Sequence, residues 1–177
     1  MQKGMIRFAL EFNFGPFLQT TSRISYCKLI RLSTFSSITI GALTLLTYKT
    51  SLCLFLMASF GSSMVLLYGF PESPFAQPKN IFFGHLLTAF IGILFLNYIP
   101  LPIFINIALA VGVGIFFMII FNTTHPPAGG NPIIVIIGGV SYEYLINPII
   151  IGTGIILIFG IVLNRLILKK KYPQTWK

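Results

Sequence analysis

An all-α membrane protein, a polytopic helical bundle of six membrane segments with some of them short or broken, is the fold this sequence predicts. Three observations carry it. Of the 177 residues, 55% are hydrophobic and 8% charged, where a soluble domain carries about 25% charged residues. No charged residue occurs from Asn80 to Tyr142, a run long enough for two full spans and a shorter one. The cations also collect at the two ends: Lys3, Arg7, Arg23, Lys28 and Arg31 precede the first apolar run, and Arg165, Lys169, Lys170, Lys171 and Lys177 end or follow the last.

The elements follow in order. Residues 1–31 form a basic tail, residues 32–168 the membrane domain and residues 169–177 a second basic tail. Span 1 covers about 32–48, between Arg31 and Lys49, and span 2 about 50–69, before Glu72. Each approaches the ~20 apolar residues a crossing helix needs. The loop "FPESPFAQPKN" follows, with Pro71, Pro74 and Pro78, and prolines lack a backbone N–H and break helices. Span 3 takes about 80–98, "NYIPLP" turns the chain, and span 4 takes about 101–121. The stretch "NTTHPPAGGNP", Asn122 to Pro132, then interrupts the apolar run. "IIVIIGGV", 133–140, is apolar but short, "SYEYLINP" is a loop, and the last span runs about 148–168.

Pro132 to Val140 as a helix would cover roughly 13 Å, under half of the ~30 Å hydrocarbon core. It is either a half-helix that completes a crossing with the irregular stretch before it, or a re-entrant loop. The first gives six crossings, the second four. Both are even, as two basic ends on the cytoplasmic side require. The expected location is a bacterial inner membrane with both termini cytoplasmic.

The charge balance of +9 sits on the flanks and serves topology, so no nucleic-acid partner is expected. Cys27 and Cys53 are too few for a disulfide framework or a thiolate metal site. No cofactor and no metal are expected. Glu72 and Glu143 fall in loops and are read as solvated. Ala108 with Gly112, and Ala110 with Gly114, are small residues four apart that allow close helix approach.

A repeat is suggested by glycine spacing. Gly61 and Gly69 precede Gly130 and Gly138 by 69, and Gly84 and Gly92 precede Gly152 and Gly160 by 68. Halves of three crossings each would be inverted, an arrangement recurrent in transporters with the site between them near the midplane.

Irregular backbone survives in lipid only when buried in protein or lining water. Pro126 and Pro127 end span 4, and Gly129 and Gly130 free the chain to turn. Asn131 suits a helix cap and Pro132 the first helical position. Such a helix start has unpaired N–H groups and a positive end suited to an anion. In the first half the matching place is "FGSSM", where Ser62 and Ser63 either cap a short helix or merely ease packing. His125 is a candidate to line a path or exchange a proton, since intramembrane ionisable groups are costly. His85, near the start of span 3, is either interfacial or part of the site. The candidate substrate-binding set is therefore His125, Gly129, Gly130, Asn131, Ser62, Ser63 and His85. Pro126, Pro127, Gly61, Gly69, Gly138 and Pro78 are assigned structural roles.

"THPPAGGNP" resembles the signature of the HPP family of integral membrane proteins, and "FGSSMVLLYGFPESPFAQPKNIFFGHL", Phe60 to Leu86, resembles that family's other long motif. The resemblance covers about residues 33–168. It departs at Gly130, where the usual form has Ala. Some cyanobacterial and chloroplast members are linked to nitrite transport, so the resemblance implies a small-anion permease with nitrite as first guess. It carries onto His125, Pro126, Pro127, Gly129 and Asn131, and onto Gly61, Ser62, Ser63, Pro74, Gln77, Pro78, Asn80, Gly84 and His85.

The expected function is an integral membrane permease for a small anion. Its partners are the lipid bilayer, a small inorganic anion and, as a further candidate, a second copy of the chain. A non-transporting membrane scaffold or subunit is the alternative. An intramembrane enzyme using Ser62 or Ser63 with His85 or His125 ranks below both. No acidic residue lies in the spans to orient a histidine, and "FGSSM" matches no nucleophile elbow. The chain is therefore expected not to be an enzyme, and separated serine and histidine side chains would remove that reading.

Overall fold

The computed structural model describes residues 26–49 and 56–174. The chain divides into two compact units, residues 1–33 and 34–177. Of the first, the described part is the opening turns of α1, Tyr26–Lys49. The second holds the rest of α1 and every other described element. Lys3, Arg7, Arg23, Cys53 and Lys177 lie outside the described residues.

Four helices are long and apolar enough to cross a membrane: Leu29–Lys49, Pro78–Tyr98, Ile103–Ile120 and Leu145–Ile167. Two short helices stand between them. α2, Ala58–Met64, continues into a wider π-type turn, Val65–Gly69. α3 is Pro78–Tyr98, α4 is Ile103–Ile120, and α5 is the second short helix, Asn131–Gly138. α6, Ile151–Val162, is extended at both ends by π-type turns, Leu145–Ile150 and Leu163–Ile167. The order within the chain is long, short, long, then long, short, long. The membrane-bundle expectation therefore holds, with one correction. The described part of span 2 is a short helix from Ala58, because Met57 is extended at φ −126°, ψ 147°.

Local chemistry places the ends. Pro78 opens α3 at a position where its missing N–H is not needed. Ser73 accepts from the Phe75 N–H at 3.2 Å to start a 3-10 turn at Pro74–Ala76. Asn106 donates to the Phe95 and Ile99 carbonyls, each at 3.2 Å, and so closes the end of α3 against the start of α4. Gly139 at φ +57° stops α5 in the left-handed conformation that glycine adopts without strain. Asn147 is extended, as a residue before proline tends to be, and it kinks the entry to α6.

Contacts at the two ends of α3 give the elements after α1 a direction. At its start lie the loop with Glu72 and Ala76, the Thr124 carbonyl bonded to Asn80 at 2.9 Å, and the C-terminal segment with Lys170 and Tyr172. We call this the first face. At its finish, the second face, lie Asn106 and Tyr142, whose hydroxyl is 3.4 Å from that of Tyr98. α4 thus ends on the first face and α6 begins on the second. The stretch 121–144 crosses between them, so the half-helix reading of 133–140 holds over the re-entrant one.

Small residues let these helices close up. A Cβ on Gly84 would lie 2.9 Å from both the His125 Cβ and the Thr123 carbonyl oxygen, and one on Gly92 2.9 Å from the Pro132 Cα. One on Gly160 would lie 2.7 Å from Leu67 Cδ1. Two long helices thus each seat a short helix from the other half of the chain: Gly92 of α3 faces α5, and Gly160 of α6 faces the α2 extension. Of the two small-residue pairs on α4, Ala110 and Gly114 are buried, Gly114 against Thr88, whereas Ala108 and Gly112 face outward. Phe104, Ile137 and Leu166 are more than two-thirds exposed, as suits side chains in contact with lipid.

Candidate functional site

The two short helices meet head to head. Ser59, in the first turn of α2, donates to Oδ1 of Asn131, the first residue of α5, at 2.8 Å. Asn131 Nδ2 in turn lies 3.0 Å from Oγ1 of Thr88, the middle residue of the 21 in α3. The junction therefore sits at the mid-depth of a helix about 30 Å long. From it α2 runs toward the first face, where Asn164 Nδ2 holds the Leu67 carbonyl at 3.1 Å, and α5 runs toward the second.

Around this junction Ser59, Ser63, His85, Thr88, His125 and Asn131 are all buried. They are bonded in series. Asn131 Nδ2 lies 3.0 Å from His85 Nδ1, and His85 Nε2 lies 3.1 Å from Ser63 Oγ. Ser63 Oγ lies 2.8 Å from His125 Nε2, and His125 Nδ1 lies 2.7 Å from the Phe75 carbonyl oxygen.

The partners fix the hydrogens of neutral rings. A carbonyl only accepts, so His125 carries its hydrogen on Nδ1 and accepts at Nε2. Ser63 is the hydroxyl that can donate there. His85 Nε2 must then donate to Ser63 Oγ, which leaves His85 Nδ1 to accept from Asn131. The Asn131 orientation agrees, because Nδ2 also faces two further acceptors. These are the His85 carbonyl at 3.1 Å and Thr88 Oγ1, which spends its own hydrogen on the Gly84 carbonyl at 2.8 Å. Ser63 has one hydrogen and a second acceptor, the Ser59 carbonyl at 3.0 Å. Its hydroxyl is the only rotor in the series.

The rings of His85 and His125 are 5.0 Å apart at 62°, and Phe60 meets His85 edge-on at 5.3 Å. The helices that carry and cover the rings, α2 with its extension, α3 and α5, hold Tyr68, bonded to Thr39 at 2.6 Å, and Lys79 and Tyr98 at the two ends of α3 as their other ionisable side chains. Among the described residues no group of three or more His, Cys, Asp and Glu is placed to hold a metal.

The structure brings Ser63, His85, His125 and Asn131 together. Ser62 is exposed on the outer side of α2, because one residue along a helix turns a side chain about 100° away. Neither serine caps a helix, since α2 already begins at Ala58. Asn131 is likewise the first helical residue and not the cap, which is Gly130. Its side chain is turned inward to Ser59, His85 and Thr88 instead. His85 is fully buried, not interfacial, because its face of α3 is the one covered by α2 and α5. Gly129 and Gly130 are half-buried with open space beside them, and Gly61 is exposed. Pro126 and Pro127 open the 3-10 turn Pro126–Gly130, with Pro126 exposed. Pro78 and Gly69 are buried, and Gly138 is exposed at the end of α5.

Ser59, Thr88 and the Phe75 carbonyl are members that sequence reasoning missed. Ser59 stands four before Ser63 and Thr88 three after His85, which is the spacing of one helix face. A groove of about 400 Å³ lies elsewhere, lined by Phe83, Leu86, Leu87, Phe90, Phe121, Thr123 and Leu145, and is almost wholly apolar.

The loop that presents Phe75 is fastened by the C-terminal segment. Tyr172 donates to the Ala76 carbonyl at 2.8 Å, the Gln174 N–H donates to Gln77 Oε1 at 2.8 Å, and Lys170 pairs with Glu72 at 2.6 Å. Burial, and to a lesser extent Tyr68, pushes the Tyr172 phenol well above its ordinary value.

Comparison with known proteins assigns the chain to a family. A family model described as HPP, transmembrane region, matches residues 21–173. A transmembrane protein of Dictyostelium discoideum is 34% identical over 128 residues, covering 68% of this chain and 45% of its own. A second from the same organism is 32% identical over 151 residues, covering 80% of this chain and 49% of its own. The chain thus spans about half the length of the curated relatives it matches. No solved structure matches it. The chain belongs to the HPP transmembrane family and is an integral membrane protein.

Proposed function

We propose that this member of the HPP family is a permease for a small anion, with nitrite the first candidate. The observation that carries the reading is the head-to-head meeting of α2 and α5 at mid-depth, joined by Ser59 and Asn131. Two helix N-termini there supply positive potential and polar donors without any lysine or arginine. An anion is held without a fixed countercharge, so release is not slowed by an ion pair. The long–short–long order in both halves, with α2 and α3 running opposite to α5 and α6 and with exchanged glycine seats, supports the inverted-repeat reading. The basic ends support placing both termini in the cytoplasm.

The test is anion uptake in proteoliposomes. Nitrite, nitrate and formate are supplied in turn, and His125→Ala is compared with the unaltered chain. Uptake that falls in the variant supports the reading. Uptake equal to empty vesicles for all three anions refutes it and leaves a scaffold or subunit.

One observation favours a second reading. Ser63 Oγ donates to His125 Nε2 while the Phe75 carbonyl orients that ring, which is the geometry of a serine activated by a base. Full burial of Ser63 and a competing donor, His85, weigh against it. Labelling of Ser63 by a fluorophosphonate would establish the enzyme reading and remove the permease one.

A further inference from the structure

The series from Asn131 to Phe75 has a single polarity. Asn131 donates to His85, His85 to Ser63, Ser63 to His125, and His125 to the Phe75 carbonyl. Each of the three middle groups both accepts and donates, which is what handing on a proton requires. We propose that His85, Ser63 and His125 form a proton relay from the mid-depth junction to the first face, and that it couples anion passage to proton movement. The coupling rests on the permease reading; the relay itself does not.

The step balances as follows. A proton enters at His85 Nδ1 once the Asn131 amide turns away. His85 passes its Nε2 hydrogen to Ser63, Ser63 passes its own to His125 Nε2, and His125 releases its Nδ1 hydrogen toward the first face. One proton enters, one leaves, and all three groups end neutral. The bonds from Asn131 through His85 and Ser63 to His125 then run the other way, and the bond to the Phe75 carbonyl is lost. Rotating a ring leaves its hydrogen on the same nitrogen, so the start is restored by each ring exchanging protons with water, one taken up and one released, while the Phe75 loop is withdrawn and the Ser63 hydroxyl rests on the Ser59 carbonyl.

Both ends resist reversal at rest. After transfer, a bare His125 Nδ1 would face the Phe75 carbonyl oxygen across 2.7 Å, lone pair to lone pair. Asn131 would have to turn Oδ1 away from Ser59 and toward the His85 carbonyl. Transfer therefore needs the Phe75 loop to withdraw, and Tyr172, Gln174 and Lys170 hold that loop down. The two rings face each other, Tyr68 on the α2 extension bonds to Thr39, and Glu72 on the Phe75 loop pairs with Lys170. Lys79 and Tyr98 stand at the ends of α3, and Arg165, near the end of the last span, donates to the Tyr172 carbonyl.

The experiment uses the full chain in proteoliposomes with a pH dye inside, potassium and valinomycin to clamp the voltage, and nitrite added outside. Lumenal pH and nitrite are read together against empty vesicles. The expected result is nitrite entry with lumenal acidification, both stimulated by an acid exterior. Ser63→Ala and His85→Gln should lose the acidification, and Ser63→Thr should keep it, with gel filtration confirming folded protein. Two lesions at different positions guard against one failing to fold. Nitrite entry without acidification overturns the relay and leaves the permease standing. Acidification that requires Ser63 but occurs without nitrite entry leaves the relay and overturns the permease. Acidification unchanged in both lesions overturns the relay.

Discussion

Replacing Gly92 by alanine tests the packing that positions the site. The new Cβ would lie 2.9 Å from the Pro132 Cα and 3.1 Å from the Val135 Cβ. Carbon atoms rest at about 3.5–4.0 Å, so the start of α5 must retreat by roughly 0.6 Å. Pro132 is backbone-fixed and follows Asn131 directly, so the amide moves with it. The 3.0 Å contact from Asn131 Nδ2 to His85 Nδ1 then stretches to about 3.6 Å, where a hydrogen bond is lost. Overpacking costs about 1–3 kcal/mol, and alanine's better helix propensity returns about 1. On the scale of proteins this size, a net loss of up to about 2 kcal/mol lowers the melting midpoint by about 4–8 °C. Gly112→Ala is the control, since its Cβ would meet nothing within 4 Å. Thermal melts in detergent and nitrite uptake in vesicles are the assays. Gly92→Ala as stable and active as the native chain, or Gly112→Ala equally damaged, refutes the argument.

Other perturbations separate the members of the site. Ser63→Ala should depress anion uptake while Ser62→Ala leaves it near native, because Ser62 faces outward; equal effects in the uptake assay would contradict the placement. Tyr172→Phe removes a buried hydrogen bond to the Ala76 carbonyl and should cost about 1 kcal/mol in a detergent melt. The same residue sets an alkaline limit. Its phenol is raised in the folded chain, so its contribution is whole below the unfolded value of about 10 and is lost as pH rises beyond it. A melting midpoint that drops above pH 10 in the native chain, and less steeply in Tyr172→Phe, is the expected record. Glu72→Gln should shift the melt by no more than about 1 kcal/mol, because the Lys170 pair is largely exposed.

The long spans were legible because the uncharged runs between Arg31, Lys49, Glu72 and Glu143 are a direct record of bilayer crossing. The break at Asn122–Pro132 was legible because prolines and glycines disrupt helices whatever surrounds them. What escaped lies inside the apolar elements. In lipid the outward face of a helix is as apolar as the inward one, so hydropathy did not show that Ser63 turns inward while Ser62 turns out, or that His85 is central. The start of α2 carries no side-chain cap at Met57, so nothing in the residues marked Ala58 as the beginning of a helix. Phe75 contributes a backbone carbonyl, which every residue has. Ser59 and Thr88 were within reach through their helical spacing to Ser63 and His85.

The exchange of glycine seats also bears on how the chain is made. α5 emerges after α3, so Gly92 is already in place to receive Pro132. The other short helix has no such welcome. Leu67 is synthesised roughly ninety residues before Gly160, the glycine that seats it. At about 5–20 residues per second, that is on the order of 5–20 s. Through the first part of this interval α2 lacks Asn131, and through all of it Gly160 of α6. The first half thus passes through the insertion machinery with Ser63 able to meet His85 but Ser59 without Asn131, and the last span brings the glycine that seats Leu67.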